Sequence, residues 1–251
     1  MSEHVCVVVE DGVLSITLNR PEKKNALNQD MYAAMTAALE DAAGSREIRA
    51  VLLTGRGDSY TAGNDIADFQ QSSSEGAAAS GASGFGDRLV RLEKPVVAAV
   101  NGLAVGIGAT MLLHCDLVYA SPAARFRFPF VDLGLVPEMA SSLLLPRIVG
   151  YHRAAELMLL GGFCSAEEAR EIGLVNRVLP ATELLPHARG AAKALAGKPL
   201  GALAKTRALL RGDLADVIAR KQQETEILQQ CRQSPEAQAI FRAFMTRSAA
   251  G

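Results

Sequence analysis

Several signatures are missing from this 251-residue chain, and each absence removes a class of function. Lys and Arg total 26 against 27 Asp and Glu, for a formal net charge of −1. No block of basic residues offers a continuous phosphate-binding face, which argues against nucleic acid as a partner. The four cysteines, Cys6, Cys115, Cys164 and Cys231, form no CxxC pair. A chain of this length needs no disulfide staples, so they read as reduced thiols of a cytoplasmic protein. His4, His114, His152 and His187 are far apart, with no HExxH and no cysteine pair at ligand spacing, so no metal site is expected. The opening "MSEHVCVVVEDG" has an acid at position 3 and no basic lead into a long apolar run, unlike a signal or transit peptide. There is no GxSxG elbow, no P-loop and no GxGxxG fingerprint.

What is present points to a single large α/β domain. With 49% hydrophobic and 21% charged residues, the chain can bury a full core. One uncharged segment, residues 95–113, imitates a membrane span. Its three glycines and Asn101 suit a strand, a glycine turn and a buried helix better, so no membrane partner is expected. "VCVVVEDGVLSITLNR" reads as a hairpin around Asp11-Gly12. Asn28 is a plausible N-cap for a helix whose Met31, Met35, Ala38 and Leu39 recur at helical spacing, ending near Gly44. "RAVLLTG", "PVVAAV" and "CDLVYA" are short buried strands alternating with helices, so a mostly parallel sheet covered by helices is expected. Residues 70–87, rich in Ser, Gly and Ala, read as a mobile loop, either a lid or a disordered connection. The last third is helical: Ser165 and Glu168 form a capping box, Gly173 is a C-cap, and Ser234-Pro235 opens the final helix. Residues 1–195 are expected to form the core domain and 196–251 a helical region.

Two glycine-bearing segments, residues 55–69 and 101–113, are the best candidates for chemistry. A glycine turn that follows a strand and feeds a helix exposes backbone N–H groups and partial positive charge. One N–H from each segment would form an oxyanion hole for a developing negative charge. Alternatively, the glycines merely permit tight packing. His114, beside Cys115 in an apolar stretch, reads as a core histidine rather than a catalytic one.

In "LGLVPEMASSLLLPRIVG", residues 133–150, Glu138 is a single acid among apolar and small residues. A charge in such company is paired, caps a helix or is catalytic. The capping reading has Pro137 at the first helical position and Glu138 in the first turn.

The ordered set "RPEKKNALN", "TAGNDIADF", "NGLAVGIGATMLLHCDLVYA", "FRFPFVDLGLVPE" and "SAEEAREIGLVNRV" resembles the crotonase superfamily, the enoyl-CoA hydratase/isomerase family, over roughly residues 5–247. The resemblance implies a fold of repeated ββα units, C-terminal helices used in assembly of a homotrimer or a hexamer of two trimers, and an acyl-CoA thioester substrate. It implies no cofactor beyond the coenzyme A carried by the substrate. By position, the backbone N–H groups of Asn64 and Ile107 would form the oxyanion hole. Substrate-binding positions would be Lys23, Lys24, Ala62, Asp65, Ile66, Gly106, Phe130 and Leu135, although Lys23 and Lys24 read equally well as a solvated pair.

Hydratases of this family carry two glutamates at positions that here hold Thr110 and Phe130, neither of which exchanges a proton usefully near neutral pH. The nucleophilic carboxylate of the dehalogenase branch is not located either. The Pro-Glu segment instead resembles the peroxisomal type of 3-enoyl-CoA to 2-enoyl-CoA isomerases, in which this glutamate is the base. A pocket of residues such as Phe130, Leu135 and Leu143 would raise the pKa of Glu138. Asp65 and Asp132 read as local hydrogen-bonders or pocket polarity. The resemblance thus implies an enoyl-CoA delta isomerase of fatty acid metabolism. A hydratase with a second acid from elsewhere, or a CoA-binding or RNA-binding homologue, are the rivals; the near-neutral charge and retained Glu138 speak against the last two.

Overall fold

The computed structural model describes residues 2–65 and 81–248. A hairpin opens the chain: β1 (Val5–Glu10) and β2 (Val13–Leu18) pair antiparallel. Asp11 (φ 51°) and Gly12 (φ 76°) supply the two left-handed residues that a two-residue turn of matching twist demands. Helix α1 (Gln29–Gly44) begins where Asn28 accepts the Met31 N–H, and buries Met31, Tyr32, Met35, Ala38 and Leu39 on one face. β3 (Ala50–Gly55), β4 (Ser59–Thr61) and α2 (Gly81–Arg91) follow. Next come β5 (Val96–Val100), β6 (Leu103–Val105) and the single turn α3 (Ile107–Thr110), which continues as a 3-10 turn to His114. β7 (Leu117–Ala120), β8 (Arg125–Arg127), α4 (Ser141–Val149) and α5 (Tyr151–Leu159) complete a third ββα unit.

The units place their first strands in one sheet and their second strands in another. The six-stranded sheet runs β1-β2-β3-β5-β7-β10, parallel from β2 onward, with β10 at Arg177–Val178. The four-stranded sheet runs β4-β6-β8-β9, where β9 (Phe163–Ser165) pairs antiparallel with β8. The segment 95–113, which resembles a membrane span by composition, is thus two strands, a glycine turn and one helical turn. Among the described residues no helix is long and apolar enough to cross a membrane.

Helix α6 (Ala166–Glu171) opens on the Ser165–Glu168 capping box, and Gly173 (φ 82°) turns the chain after it. Helix α7 (Ala181–Ala196) packs its small residues Ala188 and Ala192 against Val13, Leu52 and Val97. Then come α8 (Leu200–Arg211), α9 (Leu214–Gln233) and α10 (Pro235–Ser248), with Pro235 as first residue of the last.

The loop expected over 70–87 is corrected in its second half. Residues 70–80 lie outside the described residues, but Gly81–Arg91 is helical, with Phe85, Leu89 and Val90 fully buried. Phe85, Leu89 and Val90 recur at i, i+4 and i+5, an apolar stripe hidden by the Gly- and Ser-rich lead.

Candidate active site

Two backbone segments meet because glycine lets them. A Cβ on Gly63 (φ 92°) would stand 2.7 Å from the Val105 carbonyl oxygen, and one on Gly108 would stand 2.5 Å from Thr61 Cγ2. A Cβ on Gly102 would stand 1.8 Å from the Asp58 carbonyl oxygen. The packing and functional readings of these glycines are therefore one: close packing of residues 59–64 on 102–108 places Asn64 and Ile107 on the same cavity. Leu27 bonds on either side of Asn64, accepting from Asp65 N–H and donating to Gly63 C=O, so the Asn64 N–H is left over. Ile107 is the first residue of α3, following Gly106 at φ 56°, and a first-turn N–H has no acceptor within its helix. Neither N–H has a backbone acceptor among the described residues.

The cavity has a volume of about 600 Å³ and holds Glu138 together with those two residues. Its wall is apolar, built from Phe130, Leu133 and Leu135 of the core and from Leu228, Ile240 and Phe241 of α9 and α10. The C-terminal helices thus cover the site of their own chain. Asp132 also lines the cavity, but Arg127 holds its carboxylate at 2.9 Å. Among the described lining residues, Glu138 is the one carboxylate outside an ion pair.

Glu138 opens partly to the cavity while its Oε1 is buried without a hydrogen-bond partner. Its pKa is raised to about 7, first by burial and then by the charge of Glu224, against the opposing pull of Lys221 and Arg232. The residue is not in the first turn of a helix, as capping would require. Helix α4 begins at Ser141, and Met139 (φ 62°) and Ala140 (φ 55°) intervene as two consecutive left-handed residues. His114 is indeed a core histidine: its Nε2 donates to the Met139 carbonyl at 2.8 Å, and burial lowers its pKa to about 4, so it is neutral.

Other expectations are redistributed. Lys23 and Lys24 are exposed and do not line the cavity, although the Lys24 carbonyl accepts the Ala62 N–H at 2.9 Å. Ala62, Gly106, Phe130 and Leu135 all line it. Asp65 does not; it pairs with Arg20 at 2.7 Å, tying the loop to the first strand pair. Ile66 lies outside the described residues. Leu143 is also absent from the cavity wall, because it packs with Val90, Ala140 and Val217 behind it. Thr110 is buried and points its hydroxyl at the Ile107 carbonyl, 3.5 Å away.

Sequence reading missed Asn25, Tyr32 and Glu224. Asn25 donates to the Arg56 and Ser59 carbonyls and accepts from the Arg20 N–H. Tyr32 donates to the Asn64 side chain. Glu224 could have been found from period alone: Val217, Lys221, Glu224 and Leu228 follow at steps of four, three and four, placing two charges on the inward stripe of α9.

Two sheets built from repeated ββα units, with Asn64, Ile107 and Glu138 on one cavity, make a crotonase-type fold. The enoyl-CoA hydratase/isomerase family model matches residues 9–249, and the chain belongs to that family. It is 40% identical to the 1,2-epoxyphenylacetyl-CoA isomerase of Escherichia coli (strain K12), covering 79% of this chain and 78% of that one. Enoyl-CoA delta isomerase 2 of Rattus norvegicus is 42% identical over 71% of this chain, which spans 47% of that longer protein. A short-chain-enoyl-CoA hydratase of Clostridium acetobutylicum is 34% identical over 97% of this chain and 95% of its own. An enoyl-CoA hydratase/isomerase structure from Pseudoalteromonas atlantica T6c superposes with a TM-score of 0.92 at 42% identity, covering 98% of both chains.

Proposed function

We propose that this chain is an enoyl-CoA isomerase that converts a 3-enoyl-CoA to a 2-enoyl-CoA, with Glu138 as its single acid/base. The observation that carries this reading is one partly buried carboxylate, with pKa raised to about 7, on the same cavity as two free N–H groups. The Glu138 carboxylate takes a proton from C2 of the acyl group. The C–H electron pair forms the C1–C2 double bond and the thioester carbonyl electrons move to oxygen, where Asn64 and Ile107 N–H groups stabilise the dienolate. Protonated Glu138 then returns its proton to C4: the C3–C4 π pair forms the new C–H bond, the C1–C2 π pair moves to C2–C3, and the enolate oxygen pair re-forms the carbonyl. One carboxylate serves both transfers.

Hydration would need a second group able to exchange a proton, and Thr110 and Phe130 supply none. The relatives include isomerases and a hydratase, so the residues at these positions, rather than overall identity, favour isomerisation. Coenzyme A enters only as part of the substrate in this reading. A trimer, alone or paired into a hexamer, is the proposed assembly, supported by the apolar Leu209 and Leu210 left exposed on α8.

The test is a coupled assay of purified protein with 3-enoyl-CoA substrates beside direct hydration of 2-enoyl-CoA. Isomerisation without hydration is expected. Strong hydration would overturn the single-carboxylate reading.

A further inference from the structure

Glu138 sits on a backbone that has to be held in place. Met139 and Ala140 both adopt left-handed conformations without being glycine, a strain that surrounding contacts must sustain. Ala140 stands at the N-cap of α4 and has no side chain able to cap it. The cap arrives from α9 instead. The Glu224 carboxylate accepts the Ser142 N–H at 2.9 Å. It is thereby a helix cap supplied from a chain position 82 residues away. From the other side, His114 holds the Met139 carbonyl.

We infer that Glu224 is a positioning residue for Glu138: by accepting the Ser142 N–H it clamps the strained Met139–Ala140 turn that presents the base, and it sets a second, buried carboxyl behind that turn. This inference rests on Glu138 being the base, and extends that reading to a residue that does not line the cavity. Glu224 is 4% exposed and its Oε2 is buried without a partner, so its field reaches Glu138 through protein rather than water. The groups around the pair are few. Lys221 and Arg232 on α9 oppose the effect on Glu138, with Lys221 tied to Asp87 of α2 at 2.8 Å. Arg220 faces Glu224 and bonds the Ser142 hydroxyl at 3.1 Å. Tyr32 from α1 is a protonated phenol, and His114 is neutral. Glu224 itself has its pKa raised by burial, held back by its bonds to Ser142.

Two substitutions separate the clamp from the charge. Glu224→Gln keeps an acceptor oxygen and loses the charge; Glu224→Ala loses both. Glu138 ionisation is read by infrared difference titration, with Glu138→Gln identifying its carboxyl band, and this readout needs no substrate. In Glu224→Gln the Glu138 titration is expected to move to lower pH, and the acid limb of isomerisation to move with it, for a gain of at least about threefold in relative rate below pH 6. In Glu224→Ala kcat is expected to fall at least about tenfold at every pH, with a native circular dichroism spectrum. An unmoved titration in Glu224→Gln overturns the charge role, and full rate in Glu224→Ala overturns the clamp. If Glu138→Gln retains full activity, the reading of Glu138 as base fails on its own, and the titration still reports whether the two carboxyls are coupled.

Discussion

The Tyr32 hydroxyl donates a hydrogen bond to the Asn64 side-chain oxygen, joining the first helix to the loop whose Asn64 lines the cavity. Burial, and then the charge of Glu138, push the Tyr32 phenol well above its usual range, so it stays a donor. Tyr32→Phe keeps the ring against Phe85 and removes only the donor. It is expected to lower kcat several-fold with little change in KM, and to cost about 1 kcal/mol of stability in urea titrations. An unchanged kcat would mean that the loop is held by its backbone bonds alone.

Glu138→Gln keeps shape and removes the base. The rate of isomerisation is expected to fall at least about a hundredfold, with the affinity for a substrate analogue retained. Steady-state kinetics beside calorimetric binding of the analogue checks both halves.

The pKa of about 7 has opposite consequences for rate and for stability. The proposed proton abstraction needs the ionised carboxylate, so the rate should fall with unit slope as pH drops below about 7. For stability, the folded value lies above the ordinary 4.5, so the folded state binds the proton more tightly. The contribution is fully present below pH 4.5 and is lost as pH rises through 7. Glu138→Gln escapes that loss, and should exceed the wild type by about 1–3 kcal/mol at pH 8 while matching it near pH 4. Denaturant midpoints at the two pH values decide this.

Gly63→Ala would force a left-handed φ on alanine and drive its Cβ against the Val105 carbonyl. A stability loss of about 1–3 kcal/mol is expected, with a larger proportional loss of kcat because the Asn64 N–H is displaced. Thermal melts and kinetics on the same preparation separate the two effects.

Leu209 and Leu210 on α8 are 84% and 83% exposed in the isolated chain. Light scattering should find an assembly of three or six chains, and Leu209→Glu with Leu210→Glu should shift it toward monomer. A monomeric wild type would leave these leucines unexplained.

Most of the frame was legible because its signals are local. Asp11-Gly12, Asn28 and the Ser165–Glu168 box each act within four residues, and each does in space what its chemistry requires. Glu138 was legible as an anomaly, a lone acid in an apolar run. Its capping alternative failed because Met139 and Ala140 turn left-handed, which no propensity of Met or Ala announces. Tyr32 was not legible, since its partner lies 32 residues away; the helical period marks Glu224 as inward-facing, but not the Ser142 N–H that it meets 82 residues away. Lys23 and Lys24 stand exposed outside the cavity wall, where adjacency to a motif alone does not say what a flexible side chain meets.

That α9 and α10 of the same chain supply Leu228, Ile240 and Phe241 to the cavity has a consequence for assembly. The chain carries its own roof over the cavity. In the proposed trimer, mixed oligomers of wild-type and Glu138→Gln chains should therefore work in simple proportion to the fraction of intact chains.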